Sequence, residues 1–316
     1  MLSALRAAGP GDTAIAALRS GLRNRVNVVV AKSAALANEF QLKQLMPELL
    51  QAFERLFKDP VKSDPQCWGK NALARAIKDL GHAESALFVR GARHIQMEPV
   101  WGGQEDTAPT LRGTCLLALV QCADITRETI LRHLVDALAD RATPVRIDAV
   151  RTLRELEGME SALLLRLKAK AGDREPEVTG QVFDSLLALE REEAVPFVAE
   201  FLASEGDDSQ EAALALGASD LAESVPVLTQ AWEHSRMRDR KQLLLRAMSA
   251  SRRQSAREFL LSLIQAGPSP DCSDALEALA LHKGSTEVRE EVKRVVALRG
   301  DDDVQTLFNE MFRHSG

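Results

Sequence analysis

Apolar residues recur at helical spacing along almost the whole chain. In Leu134 to Leu156, LVDALADRATPVRIDAVRTLREL, Leu134, Val135 and Leu138 fall on one helix face, and Val145, Ala149, Val150, Leu153 and Leu156 fall on another. Thr143-Pro144 lies between them. A capping hydroxyl followed by Pro at the first helical position predicts a tight turn into a second helix. Each helix is short and has one apolar stripe to bury, so neither is stable alone. The stretch therefore predicts a helical hairpin, and the rest of the chain can be measured against it.

Taking Val145 as a first core position, Ala149, Val150 and Leu153 follow four, five and eight residues on. The same offsets occur from Trp68 (Ala72, Leu73, Ala76), Leu111 (Cys115, Leu116, Leu119) and Val178 (Val182, Phe183, Leu186). They continue from Asp208 (Ala212, Ala213, Leu216), Asp239 (Leu243, Leu244, Ala247) and Asp271 (Ala275, Leu276, Leu279). The intervals are 43, 34, 33, 30, 31 and 32 residues, a period in the range of helical-hairpin solenoids. First helices with their own stripes fall between, for example Val195, Val198, Phe201 and Leu202, then Val225, Leu228, Ala231 and Trp232.

Towards the N-terminus, Leu2 and Leu5 make a short apolar start, and Asp12 is expected to cap a helix through Ile15, Leu18 and Leu22. The segment 24–40 reads as its partner; Val28-Val29-Val30 would suit a strand, but the Ala-rich continuation without a turn signal favours a helix. A third helix is expected over 41–57, ended by Asp59-Pro60, with a loop over 61–66. The pattern predicts one all-α domain over 1–316, a right-handed α-α superhelix of about eight hairpins. Its second helices would start near Asn24, Trp68, Leu111, Val145, Val178, Asp208, Asp239 and Asp271, and residues 285–316 would form a C-terminal cap.

Composition agrees with packed helices. Hydrophobic residues make up 45% and charged residues 27%, whereas aromatics are only 4% with no Tyr, which disfavours a β-sandwich. The net charge of −6 argues against a nucleic-acid partner. Cys67, Cys115, Cys122 and Cys272 form no C-x-x-C pair and read as buried small apolar residues, with Cys115 and Cys122 expected on one helix. Arg6, Gly9-Pro10 and Asp12 interrupt the apolar run a signal peptide needs, and the longest uncharged run, 259–270, is too short for a membrane span. A cytoplasmic protein with no membrane partner is expected.

The unit over 134–156 resembles a HEAT repeat, an armadillo-like helical architecture. It has the apolar spacing, Asp140 in the turn, Pro144 before the second helix, and Val145-Arg146 at its start. The unit is similar to those of bacterial HEAT-like and phycobilisome-lyase-type HEAT proteins. It implies an Asp and an Arg in the turns that tie neighbouring repeats by hydrogen bonds. The Asp recurs as Asp106 and Asp173 and the Arg as Arg112 and Arg240, while His234, Asp208 and Asp271 depart from the pattern.

In that family the second helices line the concave face. The offsets +3, +6, +7 and +10 are then expected to point outward. The +3 row is polar throughout: Asn71, Thr114, Asp148, Gln181, Glu211, Gln242 and Asp274. Over all outward offsets there are six acids (Asp148, Glu155, Asp184, Glu211, Asp274, Glu277) and four bases (Arg75, Lys78, Arg151, Arg246), with Leu117, Leu214 and Leu245 as apolar spots. A phosphate-tracking groove would be basic. The row reads either as the solvated side of each helix or as a protein-docking surface. The one break in the period is the insertion QMEPVWGGQEDTAP over 96–109, where Trp101 precedes two glycines on an expected loop. That Trp either contacts a partner or plugs a groove between repeats. Trp68 and Trp232 sit on apolar stripes and are expected in the core. The basic clusters Arg236, Arg238, Arg240 and Lys241, and Arg252 with Arg253, read as solvated surface.

Enzyme and metal signatures are absent: the six histidines are dispersed, Gly69-Lys70 lacks the upstream glycine of a phosphate loop, and there is no G-x-S-x-G or G-x-G-x-x-G. The reading is a non-catalytic protein-interaction scaffold without a cofactor. Its candidate partner-binding residues are Trp101, Asn71, Thr114, Asp148, Arg151, Gln181, Glu211 and Gln242. The alternatives are a chain resembling the helical-repeat DNA glycosylases, or one resembling the bilin-lyase HEAT subunits.

Overall fold

A computed structural model of the chain describes residue 9, residues 11–204 and residues 206–313. Leu2, Leu5 and His314 lie outside them. The chain forms two compact units, Met1–Leu164 and Leu165–Gly316. In both, helices pair as hairpins and the hairpins stack, the all-α superhelical architecture that the periodicity predicts.

In the first unit the hairpins are α1 (Asp12–Leu22) with α2 (Asn27–Glu39), α3 (Met46–Leu56) with α4 (Trp68–Asp79), α5 (Ser85–Ala92) with α6 (Pro109–Leu119), and α7 (Arg127–Leu138) with α8 (Thr143–Leu156). The second helices α2, α4, α6 and α8 pack one against the next, and each first helix covers its partner. Helix α9 (Gly158–Ala171) follows and carries the unit boundary. In the second unit the successive second helices are α10 (Pro176–Glu190), α12 (Asp207–Ala218), α14 (Arg238–Ala250) and α16 (Ser269–Ala280). Their partners are α11 (Val195–Glu200), α13 (Ser224–His234) and α15 (Gln254–Ala266), and the last pair is α17 (Thr286–Arg299) with α18 (Asp302–Met311).

A second helix packs on a neighbouring second helix as well as on its own first helix, so it buries more than one stripe. In α8, Val145, Ala149, Val150 and Leu153 are buried as expected, but so are Ile147 and Thr152. Each buried Val, Leu or Ile contributes about 1.5–3 kcal/mol. On the first helix, Leu134 and Leu138 are buried while Val135 is half exposed.

Two expected caps are corrected. Asp12 and Thr143 are the first helical residues rather than the caps; Gly11 and Ala142 stand before them, and neither makes a side-chain cap bond. All four cysteines are buried, though Cys122 lies beyond the end of α6 rather than on it with Cys115. The expected loop over 61–66 instead holds a helical turn, Pro60–Ser63, and a 3-10 turn, Pro65–Cys67. No helix among the described residues is long and apolar enough to cross a membrane.

The turn ladder that the resemblance implies is present around Arg112. Its Nη1 donates to Asp106 Oδ2 at 2.7 Å, and Nε and Nη2 donate to the two carboxylate oxygens of Asp140 at 2.9 and 3.0 Å. Arg146 continues the ladder by donating to the Asp140 carbonyl at 2.9 Å. Arg240, in the second unit, donates instead to the Leu202 carbonyl.

Candidate functional site

The expected Trp101 loop is an antiparallel hairpin, β1 (Met97–Val100) and β2 (Gly103–Asp106), paired from Met97–Asp106 to Val100–Gly103. Trp101 and Gly102 form its two-residue tip. Gly102 has φ +88°, a conformation that favours glycine. An isolated two-stranded hairpin is marginal in water, so this one depends on its base.

That base is a buried polar chain. Glu98 is only 5% exposed. It accepts from the Gln66 backbone N–H at 2.7 Å, Gln96 Nε2 at 2.6 Å and the Thr107 hydroxyl at 2.7 Å. Gln96 Nε2 also donates to the Asp64 carbonyl at 2.8 Å, and its backbone N–H donates to Asp106 at 3.0 Å. Asp106 joins the Arg112 ladder, so the hairpin is built into the turns that hold the repeats. Burial alone would raise the Glu98 pKa, but the hydrogen bonds from Gln96, Thr107 and Gln66 outweigh it and hold the carboxyl below its ordinary value.

A second buried pair lies beside it. Asp64 and Lys70 are both fully buried and meet at 3.0 Å. Asp64 also accepts from the backbone N–H groups of Gly69 (2.7 Å) and Lys70 (2.9 Å), and from Asn27 Nδ2 (2.9 Å). It therefore satisfies two amides at the start of α4, where the residue in the cap position, Cys67, offers none.

Between Asp64 and α4, Gln66 (φ 60°) and Cys67 (φ 55°) are consecutive non-glycine residues in the left-handed region. Such residues cost about 1–3 kcal/mol each and persist only when surroundings impose them. Here the Glu98 and Asp64 carboxylates do so. Cys67 is buried, which pushes its thiol pKa up to about 12.

This turn overturns the core assignment of Trp68. Gly69, not Trp68, faces inward; a β-carbon there would lie 2.5 Å from Leu56 Cδ1 and 3.0 Å from Asp64 Oδ1. The core register of α4 is shifted by one residue, to Gly69, Leu73, Ala74 and Ile77, and Trp68 is 54% exposed. The same shift puts Lys70 where Arg112 and Arg146 stand in later repeats. Trp232 is buried as expected.

Trp101 is fully exposed at the hairpin tip and plugs no groove, with Met97 (44%) and Val100 (40%) exposed below it. The Gln66–Glu98 bond seats the hairpin base two residues before Trp68. Asn71 lies on α4 one turn beyond Trp68 and lines the same groove against α2.

The other candidates are not brought together there, and the outward reading of the +3 row is corrected. Thr114 and Asp274 are buried and Gln181 is half-buried, while Asp148, Glu211 and Gln242 are half-buried in seams between successive second helices. Glycines at offset +2 create the seams: β-carbons at Gly113 and Gly180 would meet the Asp148 and Glu211 carboxylates at 1.9 and 2.1 Å. Gln242 donates to Asp274 at 2.8 Å. Burial raises the Asp148 pKa against the opposing charge of Arg151, which is exposed and 3.4 Å away. Burial, together with Asp184, Asp207, Glu177 and Asp208, raises that of Glu211. Of the +6 leucines, Leu214 is exposed, Leu117 half-buried and Leu245 fully buried.

Glu98→Gln tests the anchor. Losing a charge-assisted bond costs about 1.5–3 kcal/mol, so amide exchange in residues 96–106 should quicken by at least about tenfold. Because the folded pKa of Glu98 is lowered, wild-type protection should be full above the ordinary carboxylate range and lost as pH falls through the lowered pKa. Hydrogen exchange read by mass spectrometry that shows equal protection in both proteins would refute the anchoring role.

No protein-family model and no curated protein matches the chain. Among solved structures it is similar to human deoxyhypusine hydroxylase in complex with glycerol, at 21% identity over 79% of this chain and 88% of that one, with a TM-score of 0.30. That protein is named as an enzyme, against the expectation of a chain without catalytic activity, and that expectation is not carried further. A TM-score of 0.30 transfers no reaction, substrate or residue to this chain.

Proposed function

We propose that the chain is a helical-repeat scaffold that docks a protein partner through the Trp101 hairpin and the adjoining start of α4. One observation carries this reading: a fully exposed Trp stands on a two-residue tip whose base is fixed by the buried Glu98 carboxylate. A large exposed aromatic on an ordered element is the kind of side chain that anchors protein interfaces, and ordering it in advance lowers the entropic cost of binding. Met97 and Val100 on the same hairpin, and Trp68 at the start of α4, are exposed as well. The chain's net charge of −6 favours a protein over a nucleic-acid partner.

Truncating an interface Trp typically costs 2 kcal/mol or more, about thirtyfold in affinity. Trp101→Ala should therefore sharply reduce partner recovery in a quantitative pull-down from the native cell, with unchanged circular dichroism. Arg151→Glu, on an exposed side chain of α8, should leave recovery unchanged. Asp148 is unsuited to this control because its carboxylate is packed against Gly113. Equal recovery by wild type and Trp101→Ala would remove the proposal.

A further inference from the structure

The groove between α2 and α4 has a specific chemistry. Ala31, Ala35 and Ala72 give it a floor of methyl groups, Trp68 stands at one end, and its volume is about 370 Å³. Lys32 and Arg75 line it, and neither makes an ion pair among the described residues. The other three bases at outward offsets are paired: Lys78 with Asp79, Arg151 with Asp148 and Arg246 with Glu277. Arg75 also acts through space on Asp79, which Lys78 and Asn38 already hold, so Lys32 and Arg75 are the charged groups that line the groove. Asn71 lies between Trp68 and Arg75 on α4, with its Oδ1 turned inward and closed to solvent.

We infer that this groove binds an acidic peptide segment of the partner: carboxylates on Lys32 and Arg75, and an apolar side chain on the exposed Trp68 ring. The inference rests on the docking function proposed above and names the partner's chemistry. The apolar lining discriminates among anions, because an acidic peptide carries apolar side chains beside its carboxylates to lie on the methyl floor and the Trp68 ring, whereas a phosphate presents only oxygens. Small floor residues let a peptide backbone lie close. Trp68 and Arg75 are seven residues apart on one helix face, roughly 10 Å along the axis, which roughly three residues of extended peptide span. The motif is an apolar residue followed, three residues on, by an acid.

The test is a random twelve-residue peptide library displayed on phage and panned on the full chain. Selected peptides should carry Asp or Glu about three residues from Trp, Phe or Leu. As synthetic fluorescein conjugates followed by anisotropy, they should bind Lys32→Glu/Arg75→Glu and Trp68→Ala at least about tenfold more weakly, and weaken as salt rises. Trp101→Ala should bind them like wild type. No selected peptides, peptides without acids, or equal binding by the charge-reversed variant would overturn the inference. So would displacement of the peptide by duplex DNA or phosphatidylglycerol vesicles at the same residues, or a dimer in sedimentation that both Trp101→Ala and Lys32→Glu/Arg75→Glu abolish. If the groove fails while Trp101→Ala still loses the partner, the docking function stands and only its chemistry here is wrong.

Discussion

Asp64→Asn should lower the unfolding free energy by about 3–5 kcal/mol, the cost of breaking a buried ion pair by removing one partner. The substitution keeps the volume and strands the Lys70 ammonium at zero exposure. It also turns an acceptor-only group into one whose NH2 must face Lys70 Nζ or a backbone N–H, since both carboxylate oxygens accept from donors on α4. Lys70→Met should cost less, because Asp64 keeps Gly69, the Lys70 amide and Asn27 as donors. The double variant should cost less than the sum of the two, as coupled neighbours do. Urea unfolding followed by circular dichroism measures the loss, and hydrogen exchange in α4 places it in the first unit. A loss for Asp64→Asn below about 1 kcal/mol, the range of exposed pairs, would contradict the buried-pair account.

The second large effect is expected in the other unit. Gly217 of α12 packs directly on the backbone of α14: a β-carbon would lie 2.1 Å from the Ala247 carbonyl oxygen and 2.6 Å from its carbon. Backbone atoms cannot swing aside, so Gly217→Ala must separate two packed helices. Overpacking of this kind costs about 1–3 kcal/mol, and this site should lie at the upper end. Gly180→Ala is the comparison. Its β-carbon would meet the Glu211 carboxylate end, which can rotate away, so that change should stay within about 1 kcal/mol. Thermal unfolding of the two variants side by side distinguishes them. Equal losses would mean that the second helices do not stack as tightly as described.

The repeat is readable because a stripe of apolar residues recurs at offsets +4, +5 and +8 of the second helices, as at Ala149, Val150 and Leu153, even where the first offset carries Asp208, Asp239 or Asp271. The Asp106–Arg112–Asp140 ladder was readable because the turn residues keep fixed positions relative to that stripe. The candidate site was harder, for identifiable reasons. The left-handed Gln66–Cys67 pair turns α4 by one residue, which no local spacing reveals, so Trp68 read as core and Lys70 was overlooked. Gly69 immediately after Trp68 was the available signal, since only a residue without a side chain fits against Leu56. The hairpin hid because its inward residue is an acid, Glu98, which inverts the usual apolar-in alternation. Val100 and Gly103 flanking Trp101-Gly102 were its turn signal. Glycines at +2, Gly113 and Gly180, likewise marked the seams that draw Asp148 and Glu211 inward.

The central claim, that the Trp101 hairpin contacts a protein, is tested most directly by site-specific photocrosslinking in the native cell. Benzoylphenylalanine would replace Trp101 in the full chain, and in a control Leu281, which is 67% exposed in the second unit. The account predicts a discrete protein adduct at position 101 that is absent at 281. No adduct at 101, or the same adducts at both positions, would contradict it.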